Sequence, residues 1–212
     1  MNPTDVNPTD VNPVNAETIL AVAQNHTAHG HDEPDHRMFG FIIFLVSESV
    51  IFLSFFAGYI FYKNTAENWL PFGVDGLEVF DPAINTVVLV SSSFVIYFAE
   101  RYLHKENLWG FRLFWLLTMV MGSYFLYGQA IEWRSLEFGF TDGLFGGTFY
   151  LLTGFHGLHV LSGVLLQGLM LGRSFIPGNY DGGEFGVAAT SIFWHFVDVI
   201  WIILFALIYL WQ

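Results

Sequence analysis

The sequence has no cysteine, which removes disulfides, iron–sulfur clusters, thiolate zinc sites and covalently attached c-type haem from consideration. It is also short of charge. Asp, Glu, Lys and Arg make up 12% of its 212 residues, against about 25% in ordinary soluble domains. Basic residues are the scarcest, seven in all, so there is no cationic surface for nucleic acid. None precedes Arg37, so the N-terminus has no signal-peptide n-region. What fills the space is apolar: 54% of the chain is hydrophobic, gathered into runs long enough to cross a bilayer. These features predict an all-α integral membrane protein.

Residues 1–37 form a separate zone. "NPTDVNPTDVNPV" repeats every five residues in turn- and disorder-forming types. "HTAHGHDEPDH" follows, with His26, His29, His31 and His36. A metal-binding tail is one reading; a solvated, disordered hydrophilic leader is preferred, because such a tail has no fixed ligand geometry. Residues 38–212 read as a membrane domain of five transmembrane helices in a bundle, at about 38–63, 83–102, 108–133, 143–171 and 185–211. Each has the ~20 residues that a ~30 Å hydrocarbon core requires. Pro71, Gly73 and Gly76, then Asp81-Pro82, then Pro177 to Gly183 punctuate the linkers. The basic residues set an orientation. Arg37, Arg101, Lys105, Arg112 and Arg173 fall on one side and only Lys63 and Arg134 on the other, which places the N-terminus in the cytoplasm and the C-terminus outside.

Ionisable groups at membrane depth are costly and mark function or a buried partner. Glu48 lies ~15 Å into the first span, counting 1.5 Å per residue, and His195 lies at a similar depth in the fifth. Asp198 is one turn beyond His195 on the same face. His156 and His159, in "TGFHGLHVLSG", fall near the middle of the fourth span. Three helices thus offer such groups at comparable depth. One reading is an intramembrane metal site in a freestanding enzyme, built from the His-x-x-His and His-x-x-Asp pairs with Glu48. The carboxylates are sparse for di-iron chemistry, and the density of Phe and Leu leaves little room for haem. The preferred reading is an interhelical polar network, partnered from the fourth span, that satisfies groups which lipid cannot. Glu48, with no cation near it in sequence, suits a proton-linked or lipid-facing role. Gly154, Gly157, Ser162, Gly163, Gly168 and Gly172, with the pair Gly143 and Gly147, read as close-approach positions along the fourth span.

Four stretches, in order, carry a resemblance: "FGFIIFLVSESVIFLSFF" around Glu48, "GQAIEW" ending in Glu132-Trp133, "DGLFGGTFYLLTGFHGLHVLSG", and "WHFVDVIWIILFALIYLW". Over about residues 37–212 the chain resembles subunit III of the haem–copper respiratory oxidases, most closely the cytochrome c oxidase branch in its five-helix bacterial form. Members usually have seven helices around a lipid-filled cleft, and the two leading ones are missing here. The resemblance implies an accessory subunit without redox centres in a proton-pumping terminal oxidase that reduces O2 to water. Haem and copper then belong to partner subunits, and this chain binds no metal or cofactor beyond structural phospholipid. It further implies contact with subunit I above all, then subunit II and a small subunit IV, and support of proton uptake and durable turnover. By position, Glu48 resembles a carbodiimide-reactive carboxyl and Arg173 an arginine that contacts a lipid headgroup; Glu132 joins the polar network. Subunit III of a quinol oxidase, or of a nitric-oxide-reductase-associated relative, remains the alternative. The expected location is the bacterial cytoplasmic membrane as a multi-pass protein, or a thylakoid membrane in a photosynthetic cell.

Overall fold

A computed structural model describes residues 36–70, 76–178, 180 and 184–211. Among these every regular element is a helix: α1 His36–Thr65, α2 Phe80–Leu103, α3 Leu108–Ser135, α4 Gly143–Arg173 and α5 Phe185–Phe205, which continues into a π-helical turn, Ala206–Leu210. All five are long and apolar enough to cross a membrane. The hydrophilic tail lies outside the described residues, except that His36 and Arg37 already belong to α1.

The first four helices run a few residues past one or both expected ends, the fifth with its π-helical turn stops one short, and one difference is instructive. Asp81-Pro82 reads in sequence as a linker break, yet it sits in the first turn of α2. Proline is tolerated there because the first turn's N–H groups have no intrahelical acceptor. Asp81 beside it puts negative charge at the positive end of the helix dipole. At the other end of α2, His104 to Asn107 reverse the chain, with Glu106 at φ 58°. Asn107 then caps α3, its Oδ1 accepting from the Gly110 N–H at 3.0 Å.

Helices α2, α3, α4 and α5 pack in a closed ring, each against the next, with α5 returning to α2. Trp194 of α5 pins that ring. It is 0% exposed, and its Nε1 donates to Ser92 Oγ of α2 at 2.8 Å. A Cβ on Gly122 of α3 would stand 2.5 Å from the indole, and one on Gly163 of α4 would stand 2.7 Å from it. Two glycines thus make the slot that admits the largest side chain in the bundle. Helix α1 stands outside the ring and reaches it through large side chains. Phe52 meets Phe155 of α4 and Phe196 of α5, with ring centroids 5.2 and 6.4 Å apart. At its far end Lys63 donates to the Trp211 carbonyl, and its ammonium lies 4.2 Å from the centre of that indole.

Most of the other fourth-span glycines do not mark close approach. Gly143, Gly157 and Gly172 have open space where a Cβ would be, Gly168 and Gly147 meet only ordinary contacts, and Ser162 is exposed. The tight position near the start of α4 is Gly146. A Cβ there would lie 2.4 Å from the Gly139 carbonyl oxygen, a backbone atom that cannot swing aside. Gly146→Val is therefore expected to cost about 1–3 kcal/mol, read as a lowered thermal aggregation midpoint in mild detergent; an unchanged midpoint would show that the preceding turn gives way freely.

Candidate functional site

The ionisable groups that the sequence sets at one depth do not form a single cluster. They form two separate sites, roughly on opposite sides of α5.

The first joins α1 to α4. The serines flanking Glu48 are satisfied within their own helix, Ser47 by the Phe44 carbonyl at 2.7 Å and Ser49 by Leu45 at 2.8 Å. Glu48 instead reaches across to His159, whose Nε2 lies 3.1 Å from Oε2. Glu48 is therefore not lone: its partner is 111 residues away in sequence. His159 Nδ1 lies 2.8 Å from the Phe155 carbonyl. A carbonyl can only accept, so Nδ1 carries a hydrogen. The neutral imidazole then presents a lone pair at Nε2, and a bond to Glu48 requires one further proton, either on the carboxyl or on Nε2. The pair holds that proton between two sites and is neutral overall in both arrangements. Phe52 and Phe155 stand 5.0 and 4.8 Å from the imidazole centre, and Phe193 stands 6.2 Å away. The side chains of His159 and Glu48 are 12% and 17% exposed, so these rings keep most water away.

The second site joins α5 to α2, where the sequence suggests a partner from the fourth span. Ser93 Oγ lies 2.9 Å from His195 Nδ1 and is hydrogen-bonded to Asp198 Oδ2. A hydroxyl has one hydrogen, so Ser93 donates to one of these two side chains and accepts from the other, in the direction set by which of them carries the proton. Ser93 was not singled out in sequence. A mid-span serine usually returns its hydroxyl to its own helix, as Ser92 does with Leu89 at 2.5 Å, and nothing in "SSS" tells the three apart.

His156 belongs to neither site. It is wholly buried, and both ring nitrogens lack a hydrogen-bond partner. Its ring stacks on Trp201 at 4.8 Å and meets Phe125 edge-on at 5.8 Å. Three residues turn a helix by about 300°, so His156 and His159 differ by about 60° in direction. That is enough to aim one into the ring between α3 and α5 and the other out toward α1.

Glu132 lies at the opposite end of the bundle from His104. Its carboxyl accepts from Tyr209 at 2.7 Å and from Gln129 at 2.9 Å. The π-helical turn carries Tyr209, a partner that a regular heptad count does not reveal. Glu132 lines a cavity of about 600 Å³ together with Glu78, Asp81, Asn85 and Glu137. Arg173 closes α4, where a cation is favoured by the helix dipole. Its guanidinium lies 5.9 Å from the Tyr180 ring. Tyr180 donates to the Met170 carbonyl at 2.5 Å, and burial pushes its phenol above the ordinary range while Arg173 pulls the other way. Nearby, Arg112 Nε donates to Ser174 Oγ at 3.1 Å and its guanidinium lies 4.4 Å from the Phe175 ring. Among the described residues no three His, Asp or Glu side chains gather closely enough to hold a metal ion.

Residues 14–212 match the family described as cytochrome c oxidase subunit III. Similar proteins include cytochrome c oxidase subunit 3 of Thermostichus vulcanus, 45% identical over 183 residues, covering 86% of this chain and 90% of that one. The protein of the same description in Synechocystis sp. is 46% identical over 186 residues, 87% of this chain and 79% of that one. That of Scyliorhinus canicula is 34% identical over 201 residues, 90% of this chain and 76% of that one.

Proposed function

The chain belongs to the cytochrome c oxidase subunit III family, and on that premise we propose that it is the accessory subunit, without redox centres, of a proton-pumping oxidase that draws electrons from cytochrome c. It packs against subunit I, holds phospholipid and supports proton uptake. The observation that carries the proton-linked part is the Glu48–His159 pair, one mobile proton between two sites in an aromatic enclosure near the middle of α1 and α4. Charge is costly in a hydrocarbon layer, and the pair is neutral overall whichever site holds the proton, so the proton can shift between them with no net charge created. The end of the bundle bearing His104 and Arg173 faces the cytoplasm, in line with the bias of Lys and Arg, and places Arg173 where it can meet a lipid phosphate. The membrane is the bacterial cytoplasmic membrane, or the thylakoid membrane, since two of the relatives are cyanobacterial.

The test is affinity purification of the tagged full chain from its native membrane in mild detergent. The expected product is a multi-subunit complex with the haem absorbance of an oxidase, in which the metals follow the partner subunits when this chain is removed. A chain recovered alone with stoichiometric iron, zinc or copper would overturn the accessory-subunit reading.

A further inference from the structure

Two exposed faces of the bundle differ in composition. On α4 the exposed large apolar positions are all leucine, among them Leu151, Leu158, Leu161, Leu165, Leu166 and Leu169, flexible side chains of the kind that suit fluid lipid. The outward strip of α5 runs Ile192, His195, Val199, Ile202, Ala206. Its steps are 3, 4, 3 and 4, which keep these positions on one face of the helix. Apart from His195 it is β-branched or small, so its side chains have little rotamer freedom to lose on contact.

His195 sits in the middle of that strip with one nitrogen unused. Its Nδ1 bonds Ser93, which also bonds Asp198. Nε2 is left with one polar function, a lone pair when Nδ1 carries the hydrogen and an N–H when it does not. No described residue pairs with it, and the half-buried ring does not seal it within the chain. Its depth is fixed from two helices. His195 follows the start of α5 by about ten residues and Ser93 precedes the end of α2 by about ten, ~15 Å in each case. His104 Nδ1, just past α2, lies 2.8 Å from Glu184 Oε2, just before α5, so these two ends are level. At that depth neither water nor a lipid headgroup reaches the imidazole, and an orphaned polar group is costly.

We propose that this strip of α5 is the docking seam for a transmembrane helix of another subunit of the same oxidase, which places a hydrogen-bonding side chain on His195 Nε2. The inference rests on the accessory-subunit reading and adds to it the face and the polar contact. The polar contact follows from the unpaired ring nitrogen, since Nδ1 is taken by Ser93 and Nε2 faces out. A partner that spans the membrane at that depth is a helix, and the depth excludes headgroup chemistry.

The experiment is photo-crosslinking in the assembled complex in native membranes, with p-benzoylphenylalanine at Val199 and, separately, at Leu165. The expected result is capture of one oxidase subunit from Val199 and of lipid alone from Leu165. Lipid alone from Val199, with the chain still in a haem-bearing complex, overturns the seam and leaves the accessory-subunit reading standing; a chain with no such partners overturns both. In parallel, His195→Leu is expected to lower retention on the complex about three- to tenfold during detergent dilution, the range of an interhelical hydrogen bond in a membrane. His195→Gln, which keeps a hydrogen-bonding group at similar reach, should restore most of it. Equal loss in both variants, or retention of the Leu variant at the level of the unmodified chain, overturns the contact.

Discussion

Trp194→Ala is expected to lower the stability of the bundle by about 3–5 kcal/mol. Helices in lipid gain little from hydrophobic exclusion against one another, so packing and interhelical hydrogen bonds carry their association. Trp194 supplies both at one point, touching α2 through Ser92, α3 through Gly122 and α4 through Gly163. Truncation leaves an apolar void between three helices whose glycines cannot fill it, and it takes a donor from Ser92. The reciprocal substitution, Gly163→Ala, should cost about 1–3 kcal/mol by overfilling the slot. If the slot is the cause, the two effects are coupled: Gly163→Ala placed in a Trp194→Phe background should be close to neutral, because the smaller ring vacates the space that the new methyl takes. Thermal aggregation midpoints of the four variants in one mild detergent measure this cycle. Additive losses would show that Trp194 and Gly163 act independently and that the ring is pinned elsewhere.

That slot also shows which parts of the architecture can be read from residues alone. Five apolar runs and their breaks suffice to place five helices, because length and hydropathy are local properties. Direction around each helix is not local to the same degree. Gly154, Gly157, Gly163 and Gly172 look alike in sequence, yet Gly163 accepts a tryptophan, Gly154 approaches Trp133, and Gly157 and Gly172 meet nothing. His156 and His159 look like one motif, yet about 60° of rotation sends one to Trp201 and the other to Glu48. Depth arguments set Glu48, His159 and His195 at a common level, but depth has no azimuth, and so a single imagined cluster becomes two sites with different partners. Ser93 and Tyr209 escaped notice for a related reason. A hydroxyl in a helix is satisfied at home unless a distant partner claims it, and the partners, Asp198 and Glu132, lie 105 and 77 residues away.

The pairing of Glu48 with His159 leads to an expected separation of two properties usually lost together. In Glu48→Gln the amide N–H can still donate to His159 Nε2, so the link from α1 to α4 survives, while the carboxyl proton is gone. Complex yield should match that of the unmodified chain, and proton uptake on oxidation of the reduced complex should slow by roughly tenfold, a barrier about 1.4 kcal/mol higher. His159→Leu does the reverse. It leaves Glu48 among Phe52, Phe155 and other apolar groups with no acceptor for its proton, an orphaned buried polar group worth about 1–3 kcal/mol, and α1 should dissociate from the bundle more readily. In the double variant the amide introduced at position 48 has lost its acceptor too, but no acid remains to be stranded, so its stability loss should fall short of the sum of the single losses. Limited proteolysis at the end of α1 reports the first property and flow-flash uptake the second. Unchanged uptake in Glu48→Gln, together with additive stability losses, would reduce the pair to a structural contact between α1 and α4.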